Sequence, residues 1–479
     1  MNGPTKSHQT GLKPPPLSAI PLNADAFSIW STRAESAKLC GAIRPLDRLK
    51  TNPQPTVVWA LAKADPFPPT SEPMKQTYTF AISFFCFLTL QTNAETWSSF
   101  RGPLGTGLSS QSPPTTWNEE SVAWRTQIEG SGQSSAVNWG DRIFLTSAKN
   151  NGRTRLVLCL DASKGKVLWK KAIEVKAPEQ SHKMNSWATP SCATDGERVV
   201  AFFGKGGLHC FDIDGNQLWS RTDLGSFPGR WGTAASPIIL DGKVIQNCDA
   251  QGKSYLIAAD KKTGETIWNT PRRSTPKGGW STPILIDTGE RKELVLNGEF
   301  GVQAYDPETG KDYWFCKAFN GRGSPVPFFA NNMIYVVNGK PGDLYVVKPG
   351  GQGDVTSTHM AYHAKRVGGR DLPAPVVVGN YLFVVSLSGI ATTYNASNGE
   401  IYYSERLGGQ FSASPMVAKG LVYLVAETGE TVVVRPGKKL DVVSRNKVGS
   451  GPGEIFRATI SPIKGRMFLR SNKALYCIK

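Results

Sequence analysis

A small residue followed by proline returns at nearly constant intervals, and no other feature constrains the fold as much. The pairs are Thr189-Pro190, Ser236-Pro237, Thr282-Pro283, Ser324-Pro325, Ala374-Pro375, Ser414-Pro415 and Ser461-Pro462, spaced by 47, 46, 42, 50, 40 and 47 residues. Ser135-Ala136 fills the same place ahead of the first pair. Residues 122–479 therefore divide into eight units, each with the length of one four-stranded propeller blade. Behind each anchor comes a short strand, a turn and an apolar strand. The turns are Gly140-Asp141, Asp195-Gly196, Asp241-Gly242, Asn331-Asn332, Gly379-Asn380, Lys419-Gly420 and Lys464-Gly465. These residue types tolerate positive φ and suit two-residue hairpins. The strands that follow, such as Met333-Ile-Tyr-Val-Val337, are β-branched and aromatic. The region shows no helical period. With 49 Gly, 13 Trp and 19% charged residues, the chain is neither a coiled coil nor wholly disordered.

A second signature marks the outer end of the units. Asp161, Gly165 and Trp169 recur as Asp212, Gly215 and Trp219, as Asp260, Gly264 and Trp268, and as Asp306, Gly310 and Trp314. Asn395, Gly399 and Tyr403 form a weaker copy, and units 5 and 7 lack it. Asp and Gly make a tight turn, with Gly in the left-handed conformation. The aromatic opens the outermost strand and is expected to pack on the neighbouring blade, contributing roughly 1.5–3 kcal/mol by burial. The last unit ends one strand short. Val122-Ala-Trp124-Arg-Thr-Gln127 matches the outer strands and has no unit of its own. It is expected to complete blade 8 and close the ring, which removes long open sheet edges. The predicted fold is an all-β, eight-bladed β-propeller of four-stranded antiparallel blades over 122–479, with residues 95–121 as an extension packed on it.

Residues 1–73 carry 12 of the 33 prolines and no sustained period, which marks a non-native or disordered leader. Met74-Lys75, an apolar stretch from Tyr78 to Leu90 and Thr92-Asn93-Ala94 form a secretory signal pattern over 74–94. Translation from Met74 is the reading that suits it, with a genuine leader as the alternative. Cys86 lacks the preceding small residue of a lipidated cysteine, so no anchor is expected after cleavage. The expected location is periplasmic or extracellular. Residues 95–479 carry 46 Lys+Arg against 33 Asp+Glu. An exported chain with that excess meets anionic polymers at a cell surface rather than nucleic acid.

The repeat of Asp161, Gly165 and Trp169, with Cys159 two residues ahead and alanine in that place at 258 and 304, resembles the tryptophan-docking motif of quinoprotein-type eight-bladed propellers. Trp97-Ser-Ser-Phe-Arg-Gly-Pro103, followed by Gly105-Thr-Gly107, is similar to the start of secreted quinoprotein-like repeat proteins. The resemblance covers residues 95–479 and implies the fold. Relatives include alcohol and sugar dehydrogenases that bind pyrroloquinoline quinone and calcium, and a non-enzymatic lipoprotein scaffold of outer-membrane assembly. This sequence departs from the enzymes. It has no adjacent cysteine pair and no C-x-x-C-H haem site, and it is shorter. No calcium-binding set maps onto it, so no catalytic residue is carried over.

Cys159, Cys192, Cys210, Cys248, Cys316 and Cys477 follow the signal segment. Three of them share the slot that elsewhere holds alanine, which points to free core thiols; disulfides are the alternative. No zinc spacing occurs, and His359 and His363, four apart, give no metal site. Candidate binding residues are those just ahead of each anchor, where loops entering the innermost strands surround one end of the channel. They are Trp187, Arg230, Trp231, Lys277, Trp280, Arg322, Arg370, Asp371, Phe456 and Arg457. Cations with aromatic rings at a funnel attract an anionic ligand; packing between inner strands is the other reading of the same residues. The function read from these features is an exported, non-catalytic binding or scaffold propeller. It acts as a monomer, engages an anionic polysaccharide or a protein partner at the channel mouth, and needs no cofactor. The alternative is an alcohol or sugar oxidoreductase using pyrroloquinoline quinone with calcium.

Overall fold

The computed structural model describes residues 96–273, 278–319, 321–338, 342–365, 372–449 and 451–479. The expected leader (1–73) and signal segment (74–94) lie outside the described residues. Eight antiparallel sheets follow one another around an axis. Blade 1 consists of Val137–Trp139, Arg142–Lys149, Thr154–Asp161 and Val167–Glu174. Blades 2 to 7 repeat this order over residues 193–221, 238–271, 284–317, 328–364, 376–406 and 416–447. The helical content of the described residues is one four-residue turn, Thr356–His359, and short 3-10 turns.

Blade 8 closes the ring. Ser461–Ile463, Arg466–Arg470 and Ala474–Ile478 supply its three inner strands, and Val122–Gln127 its fourth. Arg125 pairs with Tyr476 and Gln127 with Ala474 in antiparallel register. The first and last strands of the ring thus share one ladder, and neither is left as a free end.

The hairpins behind the inner strands have the turns their residues dictate. Trp139 faces Arg142, Leu240 faces Lys243 and Ala418 faces Leu421, so two residues make each turn. Asp241, Asn331, Asn332, Lys419 and Lys464 adopt positive φ there.

The outer aromatics dock as the repeat requires. The indole of one blade lies on the turn glycine of the next: Trp124 on Gly165, Trp169 on Gly215, Trp219 on Gly264 and Trp268 on Gly310. A Cβ on any of these glycines would stand 2.5–2.7 Å from ring or hydroxyl atoms of the neighbouring blade, so the glycine supplies space as well as its turn. Three indoles also donate to a neighbouring carbonyl: Trp124 to Ala162, Trp169 to Ile213 and Trp219 to Lys261, at 3.2, 3.0 and 3.0 Å. Each docking tryptophan sits at a bulge in its strand, which turns the ring toward the next blade. On the facing strand stand Cys477, Cys159, Cys210 and Ala258. The six cysteines among the described residues are all buried and free.

The anchors need one correction of register. The position that links blades lies two residues ahead of the inner strand. It is Ser191, Val326 and Thr459 in blades 2, 5 and 8, not Thr189, Ser324 and Ser461. Backbone N–H groups at this position donate to the next blade's hydroxyl: Thr459 to Ser135, Ser135 to Ser191, Ser191 to Ser236 and Ser236 to Thr282, at 2.8–3.0 Å. Ala374 donates to Ser414 at 3.1 Å. Proline is therefore not the defining residue; where the position carries a hydroxyl, that oxygen accepts from the blade before, and blades 5 and 6 place Val326 and Ala374 there. Thr189 turns its hydroxyl to Asn185 instead, and Ser461 donates to the carbonyl of Ala136.

Residues 96–109 cross the axis. The N–H of Asn138 in blade 1 donates to the carbonyl of Trp97, and that of Thr194 in blade 2 to Ser98. Arg101, fully buried, reaches the carbonyl of Pro415 ahead of blade 7, at 3.4 Å. Gly105 lies against Ile284 of blade 4. Leu108–Ser109 then adds a parallel strand to the inner edge of blade 7. A segment fixed to blades 1, 2, 4 and 7 closes the channel from within.

Candidate functional site

Above this plug, the loops entering the inner strands enclose a cavity of about 190 Å³. Phe100 of the plug lines it from one side. The hydroxyl-bearing residues Ser135, Ser236, Thr282, Ser414 and Thr459 line it as well, all at the blade-linking position. The rest of the wall comes from the entry loops of all eight blades, with Trp231, Trp280, Arg322 and Arg457 among them.

Trp231 is the most constrained of these. Asn185 donates to the carbonyls of Trp231 and Thr233 at 2.8 and 3.2 Å, and the indole of Trp280 donates to Gly232 at 2.7 Å. The 231–233 loop is thereby clamped from two neighbouring blades. The His182 ring lies 4.5 Å from that of Trp231, and the Arg322 guanidinium sits over Trp231 at 4.2 Å. A guanidinium over an indole face is held by charge–quadrupole attraction, about 0.5–1 kcal/mol where solvent reaches it. The cavity thus has a preset aromatic wall with a cation on it.

Of the sequence candidates, Trp231, Trp280, Arg322 and Arg457 line this cavity, and three others do not. Trp187 covers Gly152, donates to the carbonyl of Glu179 at 2.7 Å and lies beneath the Arg155 guanidinium. Its role there is packing beside the buried Arg155–Glu179 ion pair, 2.8 Å long. Burial pushes the Glu179 carboxyl upward against the pull of Arg155. Phe456 is fully buried against Tyr476. Arg230 stands exposed on the rim, 5.0 Å over the Trp231 ring. Lys277, Arg370 and Asp371 lie outside the described residues.

Arg457 differs from the sequence reading in charge. Glu427, from the turn after Leu421–Val425, grips it with two bonds of 2.8 and 3.0 Å. Its charge is largely spent on that partner, so the funnel is less positive than a count of loop cations suggests. Phe100, His182, Met184 and Asn185 also belong to the site and were not singled out. Phe100 lies within the Trp97–Pro103 stretch. The side-chain directions of all four depend on loop paths that no periodicity encodes.

Quinone chemistry with calcium needs carboxylate oxygens converging on the ion. Among the described residues no three His, Cys, Asp or Glu side chains come together, and the cavity wall carries no carboxylate. The residues present do not fit that group, and no step is derived through it.

The comparisons agree on architecture. The family described as outer membrane protein assembly factor BamB matches residues 115–282, 252–348 and 341–441. The chain is 25% identical over 181 residues to outer membrane protein assembly factor BamB of Burkholderia pseudomallei (38% of this chain, 41% of that protein). It is 30% identical over 152 residues to quinohemoprotein alcohol dehydrogenase ADH-IIG of Pseudomonas putida (29% of this chain, 20% of that protein). The matched stretches therefore span 41% and 20% of these relatives' own length. The structure of BamB from Moraxella catarrhalis superposes with TM-score 0.50 at 14% identity, covering 74% of this chain and 97% of that one. A europium-containing methanol dehydrogenase superposes with TM-score 0.60 at 12% identity, covering 78% and 89%. At such identities the superpositions speak for the fold alone. With its family match running over blades 1 to 6 and into blade 7 of a closed ring of eight, this chain belongs to the BamB family of pyrroloquinoline-quinone-type repeat propellers.

Proposed function

We propose that this protein is a non-catalytic binding or scaffold propeller of the periplasm or cell exterior. The mouth of its axial cavity engages an anionic ligand carried by a glycan or a protein partner. One observation carries the reading: the cavity wall is built from indoles, hydroxyls and arginines, with no described acid placed to hold a metal or move a proton. Such a wall is suited to bind and orient; its one described imidazole, that of His182, is packed against the Trp231 ring and accepts from the Met184 N–H. Family membership supports it, since the relative named above is an assembly factor. The dehydrogenase relative keeps oxidoreductase activity as the competing outcome. Pyrroloquinoline quinone and calcium are titrated into the purified protein, and dye reduction is followed with alcohols and sugars. The expected result is no saturable absorbance change and no turnover. A stoichiometric quinone signal with dye reduction overturns the proposal.

A further inference from the structure

The two ends of blades 1 to 3 deal with charge differently. At the end of the two-residue hairpins, cations are taken up by acids of other blades: Arg142 by Asp214, Lys261 by Asp195 and Lys243 by Glu308, at 2.7–2.8 Å. Lys164, Lys166 and Lys262 share their turns there with Asp161 and Asp260. At the end of the entry loops it is the acids that are taken up. Glu179 is held by Arg155, Asp249 by Arg272, Asp223 by Arg221, and Glu129 by Lys149 and Lys170. Arg153, Lys176, Lys183, Arg230 and Lys253 stand exposed at this end, and none of the five is ion-paired to a described acid. Glu174, which accepts from the Thr154 hydroxyl at 3.2 Å, is the exposed acid left there without a cationic partner among the described residues. The loops adjoin: Trp187 covers Gly152, beside Arg153, and the Arg230 N–H donates to the Gln251 side chain at 3.1 Å. The five charges form an arc across three blades, next to the cavity mouth.

What the arc lacks narrows its partner. None of the large apolar side chains exposed among the described residues lies in these loops, so neither a protein interface nor a bilayer finds an apolar anchor. The Trp231 ring is covered by His182, Arg230 and Arg322 and gives nucleic-acid bases no platform. What remains is charge on clamped loops. A stiff polyanion loses less freedom on lying along such loops than a flexible one does. Lysine ammonium groups on flexible stems suit carboxylates whose spacing need not match theirs. We propose that the arc docks the interior of an acidic polysaccharide, its carboxylates falling on the cations of blades 1 to 3 while the chain stays hydrated. This rests on the binding reading above, takes the glycan over the protein partner, and puts the contact on the loop surface beside the cavity.

Binding of the purified protein to polygalacturonate is measured by calorimetry at several salt concentrations, beside the methyl-esterified polymer, poly-L-glutamate, DNA and phosphatidylglycerol vesicles. Polygalacturonate is expected to bind saturably and more tightly than each of the others, at least tenfold so for the ester, with affinity falling as salt rises. The triple variant K176Q/K183Q/K253Q should weaken it about tenfold or more and flatten its salt dependence. K164Q/K166Q/K262Q removes the same charge at the opposite end and should stay within twofold. All six lysines are exposed, so both variants are expected to fold. Equal loss in the two variants would assign the binding to net charge alone. That result, equal binding of the ester, tighter binding of poly-L-glutamate, DNA or vesicles, or no binding at all would each overturn the inference. None of these outcomes restores quinone chemistry, which the dye assay reads separately, so the binding reading can stand where this one fails.

Discussion

The two parts of the ring hold together by different means. From blade 8 through blade 4, each junction carries an indole on a glycine: Trp124, Trp169, Trp219 and Trp268. Polar side chains also reach across there. Thr146 donates to the carbonyl of Pro190, Asn247 to Ser281, Asn297 to Pro325 and Arg470 to Ser134. Through blades 5 to 7 the corresponding places hold Val337, Val385 and Val425, all buried. One continuous apolar cluster runs through those three blades, whereas blades 1 to 4 are joined by separate smaller clusters. Tyr362 on Gly399 is the docking contact described there. At the junction between the two parts, Trp314 donates to Glu293 of its own blade, and Gly353–Asp354 pairs alongside it. The same backbone plan thus tolerates joints of different balance, since blades 5 to 7 keep some cross-blade bonds, with Tyr335 and Tyr362 both donating to the carbonyl of Ala396 and Arg445 donating to Leu407. The directional part also holds the clamped loops around Trp231. Apolar joints depend on area and allow small slips; hydrogen-bonded joints fix orientation.

Alkaline pH should separate the parts most strongly. The six cysteines of the described residues all lie in or beside the strands of blades 8 and 1 to 4. Burial pushes the Cys159 and Cys210 thiols from 9.0 up to about 12, and that of Cys477 up to about 11. Unfolded thiols ionise first, so the stability these groups contribute is complete below pH 9 and is lost as pH rises toward 12. At pH 10 the loss is roughly 1.4 kcal/mol per thiol, or about 4 for these three. Urea midpoints measured at pH 8 and pH 10 should show it. The triple variant C159A/C210A/C477A should flatten the decline at little cost at pH 8, because the repeat itself places alanine in that slot at 258 and 304. An equally steep decline in the variant would show that the thiols do not govern it.

A glycine pair sharpens the comparison at the next level. Gly264 and Gly420 have φ of 77° and 76°, so alanine strains both backbones alike. Around Gly420 a Cβ meets nothing within 4 Å, while at Gly264 it would lie 2.7 Å from the Trp219 ring. Gly420→Ala should cost about 1 kcal/mol, and Gly264→Ala about 3, through overpacking of a docked indole. Equal costs in chemical denaturation would mean that the indole joint yields without penalty.

These same residues show why the fold was legible and the site only partly so. Turn glycines, two-residue hairpins and the small slot facing the indole answer backbone demands that recur in nearly every blade. They appear in the sequence as a period, and even the closing strand around Trp124 announces itself by matching the others. Proline is the more visible mark in the sequence, whereas the position two residues ahead of the strand, with a hydroxyl at Ser191 and Thr459 and a valine at 326, is the one that repeats in space. The cavity depends on single residues without a repeat. Phe100 arrives from outside the blades. Arg457 is matched by Glu427 from a different blade's turn. Trp187 and Phe456 precede their strands as Trp231 does, yet their loops carry them into packing. A loop side chain's direction is set by the whole loop, which residue type and spacing do not encode.

The smallest effect tests whether the indole joints owe their strength to the ring or to its N–H. Trp219 and Trp268 occupy repeat-equivalent places and are almost equally buried, at 8% and 7% exposure. Trp219 donates to Lys261, whereas the Nε1 of Trp268 is buried with no partner among the described residues. Replacing either by phenylalanine removes similar apolar area. At Trp219 it also strands the carbonyl of Lys261, a net loss of about 1 kcal/mol. At Trp268 it relieves a buried donor that bonds to nothing. Trp219→Phe should therefore be the more destabilising by about 1 kcal/mol or slightly more in urea unfolding. Were the two equal, the N–H would be incidental, and the directional character of these blades would rest on Thr146, Asn247, Asn297 and Arg470 and on the hydroxyl ladder rather than on the tryptophans.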